Sequence, residues 1–147
     1  MPKKNQKDIV QELVESVVRG MLEKKGNEVV VLNLVKLNSP ICDYFAICHG
    51  SSRTQVLALA DSVEAEVKKS TKLYPLRREG FSNAEWILLD FSDVVVHIFQ
   101  EPIRKFYNIE GLWADAPRQN FEDNPNLQNT ELFINENDGR YKKKKLR

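Results

Sequence analysis

Apolar residues recur every three to four positions near the start of the chain, and this spacing predicts an amphipathic helix. Gly26-Asn27 is a typical helix stop, and Lys24 and Lys25 just before it suit the negative end of the helix dipole. The predicted buried stripe consists of Ile9, Val10, Leu13, Val14, Val17, Met21 and Leu22.

Two short apolar runs follow, and they predict strands. Residues 29–35 and 44–48 are too short to form helices of their own, and the first run is rich in β-branched residues. Ser52, with Gln55 three positions later, fits a capping box that opens a second helix. Apolar residues at helical spacing continue from there to Val67.

Residues 86–113 carry the densest apolar pattern of the chain. The runs 86–89 and 94–99 are separated by the polar turn 90–93, so they predict a hairpin. Pro102 suits the first turn of a final helix. The element order α-β-β-α-β-β-α, with a βα crossover and a terminal hairpin, predicts an α/β fold in which a mixed β-sheet is flanked by helices.

The composition changes after Pro117, where polar residues dominate and apolar periodicity disappears. We therefore expect one folded domain over residues 1–116 and a polar tail with little structure of its own over residues 117–147. The chain ends in a basic run that could contact RNA phosphates without regard to sequence, although such runs also serve solubility alone. The lysines of this run are Lys142, Lys143, Lys144 and Lys145.

The charge balance narrows the class of partner. The net charge of +1 exerts no global attraction toward nucleic acid or membrane, so an electrostatic partner must be met by a local patch. No apolar run is long enough to span a bilayer, and the basic N-terminus lacks the apolar stretch of a secretory signal. The sequence therefore predicts a cytoplasmic protein.

The cysteines and histidines do not form a recognisable metal site. Cys42 and Cys48 lie in or beside apolar runs, and we interpret them as free buried thiols rather than as a disulfide. His49 could join them, but the spacing of a metal centre is missing. His97 alternates with apolar residues along a strand, which predicts a packed histidine rather than a general base. No cofactor or metal is expected.

Catalysis is not predicted either. A degenerate metal-dependent nucleotidyltransferase using Gly50, Ser51 and Asp90 is the enzymatic alternative. Such an enzyme needs two or three carboxylates around its metal ions, and the chain contains no Asp-x-Asp pair. Trp86 instead lies at the start of a predicted strand beside a charged loop, where it is either a core residue or the anchor of a partner surface.

The chain contains six collinear motifs, at residues 42–47, 50–55, 79–80, 86–90, 95–99 and 104–113. These motifs resemble those of the ribosomal silencing factor family, also called Iojap-like. The resemblance covers about residues 8–116, and the order and spacing of the motifs make it specific. One departure is Ser92 in the hairpin turn, where the family usually has glycine; if this position requires a positive φ, Ser92 adopts it with some strain.

The resemblance implies a nucleotidyltransferase-like topology without the catalytic carboxylates. It also implies a translation repressor that acts under nutrient limitation. The family binds ribosomal protein number fourteen of the large subunit, blocks joining of the small subunit, and forms homodimers. A role in large-subunit assembly remains an alternative. Apolar residues beside acidic ones are expected to meet the basic ribosomal surface. These residues are Glu79, Gly80, Trp86, Ile87, Leu88, Asp90 and Asp93.

Overall fold

The computed structural model describes residues 5–37 and 41–121. Four α-helices, six strands and one short 3-10 helix at Val35–Leu37 are present in these residues. The elements in chain order are α1 (Gln6–Glu23), β1 (Asn27–Asn33), β2 (Tyr44–Gly50), α2 (Arg53–Thr71), β3 (Arg77–Glu79), β4 (Trp86–Asp90), β5 (Val94–Gln100), α3 (Glu101–Tyr107), α4 (Ile109–Leu112) and β6 (Arg118–Phe121).

All six strands form one mixed sheet in the order β3-β4-β5-β2-β1-β6. Strands β2 and β5 pair in parallel, and the other neighbouring strands pair antiparallel. A parallel pair needs a crossover connection, and α2 lies in the segment that connects β2 to β5. The predicted α/β class, a mixed sheet with flanking helices, is confirmed.

Helices α1 and α2 cover one face of the sheet, which we call the helix face. Their two axes approach closely because a glycine lies at the crossing. A Cβ added to Gly20 would lie 2.7 Å from Val63 Cα. The Ser62 hydroxyl donates a hydrogen bond of 2.7 Å to the Gly20 carbonyl oxygen. Both helices therefore bury an apolar stripe against the sheet and a small-residue contact against each other.

The N-terminal cap of α2 follows the predicted chemistry, whereas α1 ends at Glu23, so that Lys24 and Lys25 follow its last turn rather than lie in it. The Ser52 hydroxyl accepts a hydrogen bond from the Gln55 N–H, as a capping box requires. The Gln55 side chain then accepts from the Ser51 N–H and donates to the carbonyl oxygen of Lys25. The start of α2 is thus joined to the end of α1.

Two strands were not expected from the sequence. Strand β3 lies in the segment that was predicted as a charged loop, and all of its residues are exposed. Strand β6 pairs with β1 and extends the ordered sheet beyond the predicted boundary at residue 116, with Phe121 buried in the core. The remainder of the predicted tail, including Lys142–Lys145, lies outside the described residues.

The hairpin turn between β4 and β5 has the expected strain. Ser92 has φ of 78°, a value that glycine adopts freely and serine does not. The Asp90 carboxylate accepts a hydrogen bond of 2.8 Å from the Ser92 N–H and so supports the turn. Both cysteines are free and buried, as expected, and burial raises the pKa of each thiol to about 12.

Candidate protein-binding surface

Strand β4 places alternate side chains on opposite faces of the sheet. Ile87 and Leu89 are fully buried against the helix face. Trp86, Leu88 and Asp90 point to the other face and are partly buried. The expectation that Ile87 contacts a partner is therefore wrong, because its side chain is 0 % exposed and packs under the helices.

Strand register brings residues of four strands into one row on the sheet face opposite α1 and α2. Leu88 lies between Glu79 of β3 and His97 of β5, and His97 is in turn paired with Ile47 of β2. Directly paired residues share a face of a sheet. Glu79 and Leu88, which were predicted as partner residues, are therefore neighbours on one surface.

A chain of aromatic rings runs across this surface, which we call the aromatic face. Each ring lies within 6.0 Å of the next, a distance typical of favourable aromatic pairs. Helix α3 supplies the rings at one end, and Trp113, which directly follows α4, lies at the other. Both helices cover part of the sheet. In order, the rings are Phe106, Tyr107, Trp86, His97, Phe45 and Trp113.

Trp86 is at the centre of the aromatic face. Its ring lies 5.0 Å from Phe99 and 4.9 Å from Tyr107. Its indole Nε1–H donates a hydrogen bond of 3.1 Å to His97 Nδ1. Trp86 therefore belongs partly to the core and partly to the surface.

His97 is packed inside the aromatic face, as the alternation of its strand predicted. It is 5 % exposed, and burial lowers the pKa of its imidazole to about 4. The ring is therefore neutral at pH 7, and because Nδ1 accepts from Trp86, the proton resides on Nε2. Nε2 has no hydrogen-bond partner among the described residues.

Large apolar side chains remain in water along helices α3 and α4. Phe106 is 77 % exposed, Tyr107 49 % and Leu112 76 %. Exposed aromatic and aliphatic groups beside a partly buried tryptophan are typical of a surface that binds another protein. Leu88 adds a partly buried aliphatic group from the sheet itself.

The predicted acidic residues do not form one cluster. Glu79 and Asp90 both form ion pairs with Arg77, at 3.2 and 3.4 Å, on the aromatic face. Asp93 instead accepts a hydrogen bond of 3.1 Å from Gln6 at the start of α1. The structure thus brings two of the three carboxylates to the aromatic face and leaves Asp93 apart from it.

Gly80 is exposed and shapes the loop beside β4. Its φ is +88°, and an added Cβ would clash with the carbonyl oxygen of Trp86. Only glycine allows the chain to pass this close to β4.

The residues of the enzymatic alternative are far apart. Asp90 shares a row with Val95 and Phe45, and Gly50 lies five residues further along β2. At about 3.3 Å per residue along β2 and about 4.8 Å between neighbouring strands, Gly50 and Asp90 are roughly 19 Å apart. The Gln55 side chain also occupies the Ser51 N–H that a phosphate would use. The arrangement does not support a shared phosphate and metal site.

Comparison with known proteins identifies the family. The family model described as "Ribosomal silencing factor during starvation" matches residues 7–145. The chain belongs to the ribosomal silencing factor family. The resemblance inferred from the six motifs is thereby confirmed.

Individual silencing factors match along most of their length. A protein of Halalkalibacterium halodurans named ribosomal silencing factor RsfS is 42% identical over 112 residues, which is 76% of this chain and 94% of that protein. A Bacillus subtilis protein of the same name is 39% identical over 95 residues, 65% of this chain and 79% of that protein. A crystal structure of a Chromobacterium violaceum protein aligns with a TM-score of 0.67 at 32% identity, covering 71% of this chain and 86% of that one.

The names of these silencing factors describe regulation rather than a reaction. Among residues 5–37 and 41–121, no group of histidine, cysteine or carboxylate side chains is arranged to hold a metal ion. In the same part of the chain, no helix combines the length and apolar character that crossing a membrane would require.

Proposed function

We propose that this silencing factor binds the large ribosomal subunit through ribosomal protein number fourteen and sterically blocks joining of the small subunit. Translation would thereby fall when nutrients are limiting. Membership of the family supports a role at the ribosome. The observation that carries the proposal is the aromatic face, because it presents apolar contact area around a central tryptophan.

The chemistry of this face suits a protein partner. Interfaces are anchored by tryptophan and tyrosine near the centre, surrounded by contacts that exclude water. Trp86 is held in place by two rings and one hydrogen bond, so little side-chain entropy is lost when a partner covers it. Tyr107 and Phe106 extend the contact area outward.

Electrostatic attraction contributes little to the affinity of the aromatic face for a partner. Arg77 neutralises one of the two nearby carboxylates, Glu79 and Asp90, which leaves a small negative charge to meet a basic ribosomal surface. Burial of apolar surface is therefore the main source of affinity, and binding through this face should depend weakly on salt.

Paired leucine variants test the surface. Leu88→Ala removes a contact from the aromatic face, and Leu76→Ala removes an apolar side chain that is 71 % exposed in the segment leading into β3. We expect Leu88→Ala to weaken binding to purified large subunits about tenfold, as for a moderate hot spot, and Leu76→Ala to bind as the wild type does. Equal affinities of the two variants would count against the aromatic face.

A subunit-joining assay tests the action. The wild-type protein, added to mature large subunits before small subunits, should reduce joining as measured by light scattering. A factor of large-subunit assembly, the alternative role, would bind immature precursors and leave the joining of mature subunits unchanged. Normal joining at saturating protein would therefore refute silencing.

Two further parts of the proposal concern other contacts. We propose a homodimer away from the ribosome, which sedimentation equilibrium over a range of concentrations can test. We also propose that Lys142–Lys145 contact ribosomal RNA phosphates, which would add affinity without sequence preference.

A further inference from the structure

A buried guanidinium lies between helix α3 and the sheet. Arg104 is 6 % exposed, whereas its neighbours Lys105 and Phe106 point into solvent. A charge in this position is stable only when it is paired and hydrogen-bonded. Its partners therefore indicate what the residue holds together.

Arg104 contacts three different elements of the fold. Its Nε donates to a Glu110 carboxylate oxygen of α4 at 2.7 Å. Its Nη1 donates to the Asn27 carbonyl oxygen of β1 at 3.2 Å and lies 2.9 Å from His49 Nδ1 of β2. Because a guanidinium only donates, His49 Nδ1 accepts and the imidazole is neutral. Burial, with Arg104 nearby, lowers the pKa of His49.

Glu110 connects this contact to the last strand. Its second carboxylate oxygen accepts from Arg118 of β6 at 3.2 Å. The hydrogen bonds from the two arginines lower the pKa of Glu110 against the opposing effect of burial. The carboxylate is therefore ionised at neutral pH, as the ion pair with Arg104 requires.

Apolar contacts of Ile103 and Ile109 also pack α3 and α4 against the sheet, and Arg104 adds the charged contacts. Arg104 is the buried residue of α3, and Ile109 is the buried residue of α4. Between the helices, Asn108 has a φ of 46° and in this left-handed conformation ends α3 and begins α4. These two short helices carry Tyr107 and are followed directly by Trp113, which are both members of the aromatic face.

We propose that Arg104 is a positioning residue for partner binding. Its ion pair with Glu110, together with its contacts to Asn27 and His49, fixes α3 and α4 to the sheet. We call this set of contacts the latch. The latch holds the Tyr107 ring against Trp86 and so keeps the aromatic face assembled. This inference rests on the proposed function for its effect on affinity, but the latch itself can be tested without the ribosome.

Matched arginine variants provide the test. Arg104→Met keeps an unbranched side chain but removes the charge and all donors, and Arg104→Lys keeps the charge while losing the fork of donors. Glu110→Gln removes the carboxylate charge from the other side of the pair. Arg19→Met is the control, because Arg19 joins α1 to α2 through Glu66 and Ser70, on the helix face.

Hydrogen exchange distinguishes local fixing of α3 and α4 from a contribution of Arg104 to the stability of the whole fold. In Arg104→Met we expect amides of residues 101–113 to exchange at least about tenfold faster, while amides of β2 and β5 keep their protection. In a Trp113→Phe background, the Trp86 emission should shift to longer wavelength as Tyr107 moves away. The affinity of the Arg104→Met variant for large ribosomal subunits, with Trp113 unchanged, should fall about tenfold. Arg104→Lys and Glu110→Gln should show smaller effects of the same kind, and Arg19→Met none of them.

Three outcomes would overturn the proposal. Exchange that rises evenly over the chain would assign Arg104 to the stability of the whole fold. Unchanged exchange in residues 101–113 would show that the helices need no latch. Faster exchange with unchanged ribosome affinity would separate the latch from the binding surface. If the wild type does not bind large subunits at all, the proposed function fails, and exchange and emission still decide whether the latch exists.

Discussion

Acidification should unfold this protein partly by protonating His97. The imidazole has an ordinary pKa of 6.5, and burial lowers the pKa to about 4 in the folded protein. Above pH 6.5 the group is neutral in both the folded and the unfolded chain, so its contribution to stability is fully present. As the pH falls below 6.5, the unfolded chain binds a proton that the folded protein excludes, and stability is lost until the pH reaches about 4.

The size of this effect follows from the two pKa values. They differ by about 2.5 units, and each unit corresponds to about 1.4 kcal/mol, so the full contribution is about 3.5 kcal/mol. Most of it, about 2.5 kcal/mol, should be lost between pH 7 and pH 4.5. For a single domain with a total stability of about 5–15 kcal/mol, this is a large fraction.

Urea unfolding at several pH values measures the loss, and a His97→Gln variant isolates it. Both proteins retain His49 and Glu110, whose lowered pKa values also destabilise the fold in acid, so these contributions cancel in the comparison. The wild type should lose about 2.5 kcal/mol more than the variant between pH 7 and pH 4.5. Equal losses would refute the conclusion that His97 is held neutral inside the aromatic face.

Four further outcomes are expected. Ser92→Gly should raise the free energy of unfolding in urea by up to about 1 kcal/mol, because it relieves the positive φ, and a decrease would contradict the strain. Gly20→Ala should lower it by about 1–3 kcal/mol, since its Cβ would meet the backbone of α2, and a wild-type melting curve would refute that contact. A chain truncated after Phe121 should have a melting temperature near that of the full-length chain, whereas a chain truncated before Arg118 should have a lower one because β6 is lost. Identical melting temperatures would show that β6 does not stabilise the fold. Replacing Lys142–Lys145 with glutamine should flatten the salt dependence of large-subunit binding, and an unchanged slope would favour a solubility role.

The long elements could be predicted because their patterns are strong and local. Helices α1 and α2 have apolar stripes, stop signals or caps, and β1, β2 and β5 are nearly continuous apolar runs buried on both faces. Strand β3 has three exposed polar residues and gives no alternation. It is a strand because β4 offers it an unpaired edge, which is a property of the folded sheet rather than of the local sequence.

The candidate site could be predicted only in part. Trp86 was indicated by its place beside a charged loop, but the run Trp86-Ile87-Leu88-Leu89 is apolar on both faces, so the pattern could not show that Ile87 points inward. The meeting of Trp86 with His97 and Tyr107 depends on strand register and on the left-handed Asn108. Neither the strand register nor the conformation of Asn108 produces a periodic pattern in the sequence.

Strand β6 also covers an edge of β1 that would otherwise be open to pairing with another chain. Strand β1 contains Val29, Val30, Val31 and Leu32, and its outer edge is covered by β6 through pairs such as Val30 with Asn120. An uncovered edge of this composition would be a template for cross-β stacking between chains, because residues 29–32 are uncharged and rich in β-branched side chains. Arg118, Gln119 and Asn120 replace that edge with a short polar one, which is the kind of edge that soluble proteins use to discourage amyloid-like growth. Loss of β6 by proteolysis would therefore endanger colloidal stability even in molecules that stay folded.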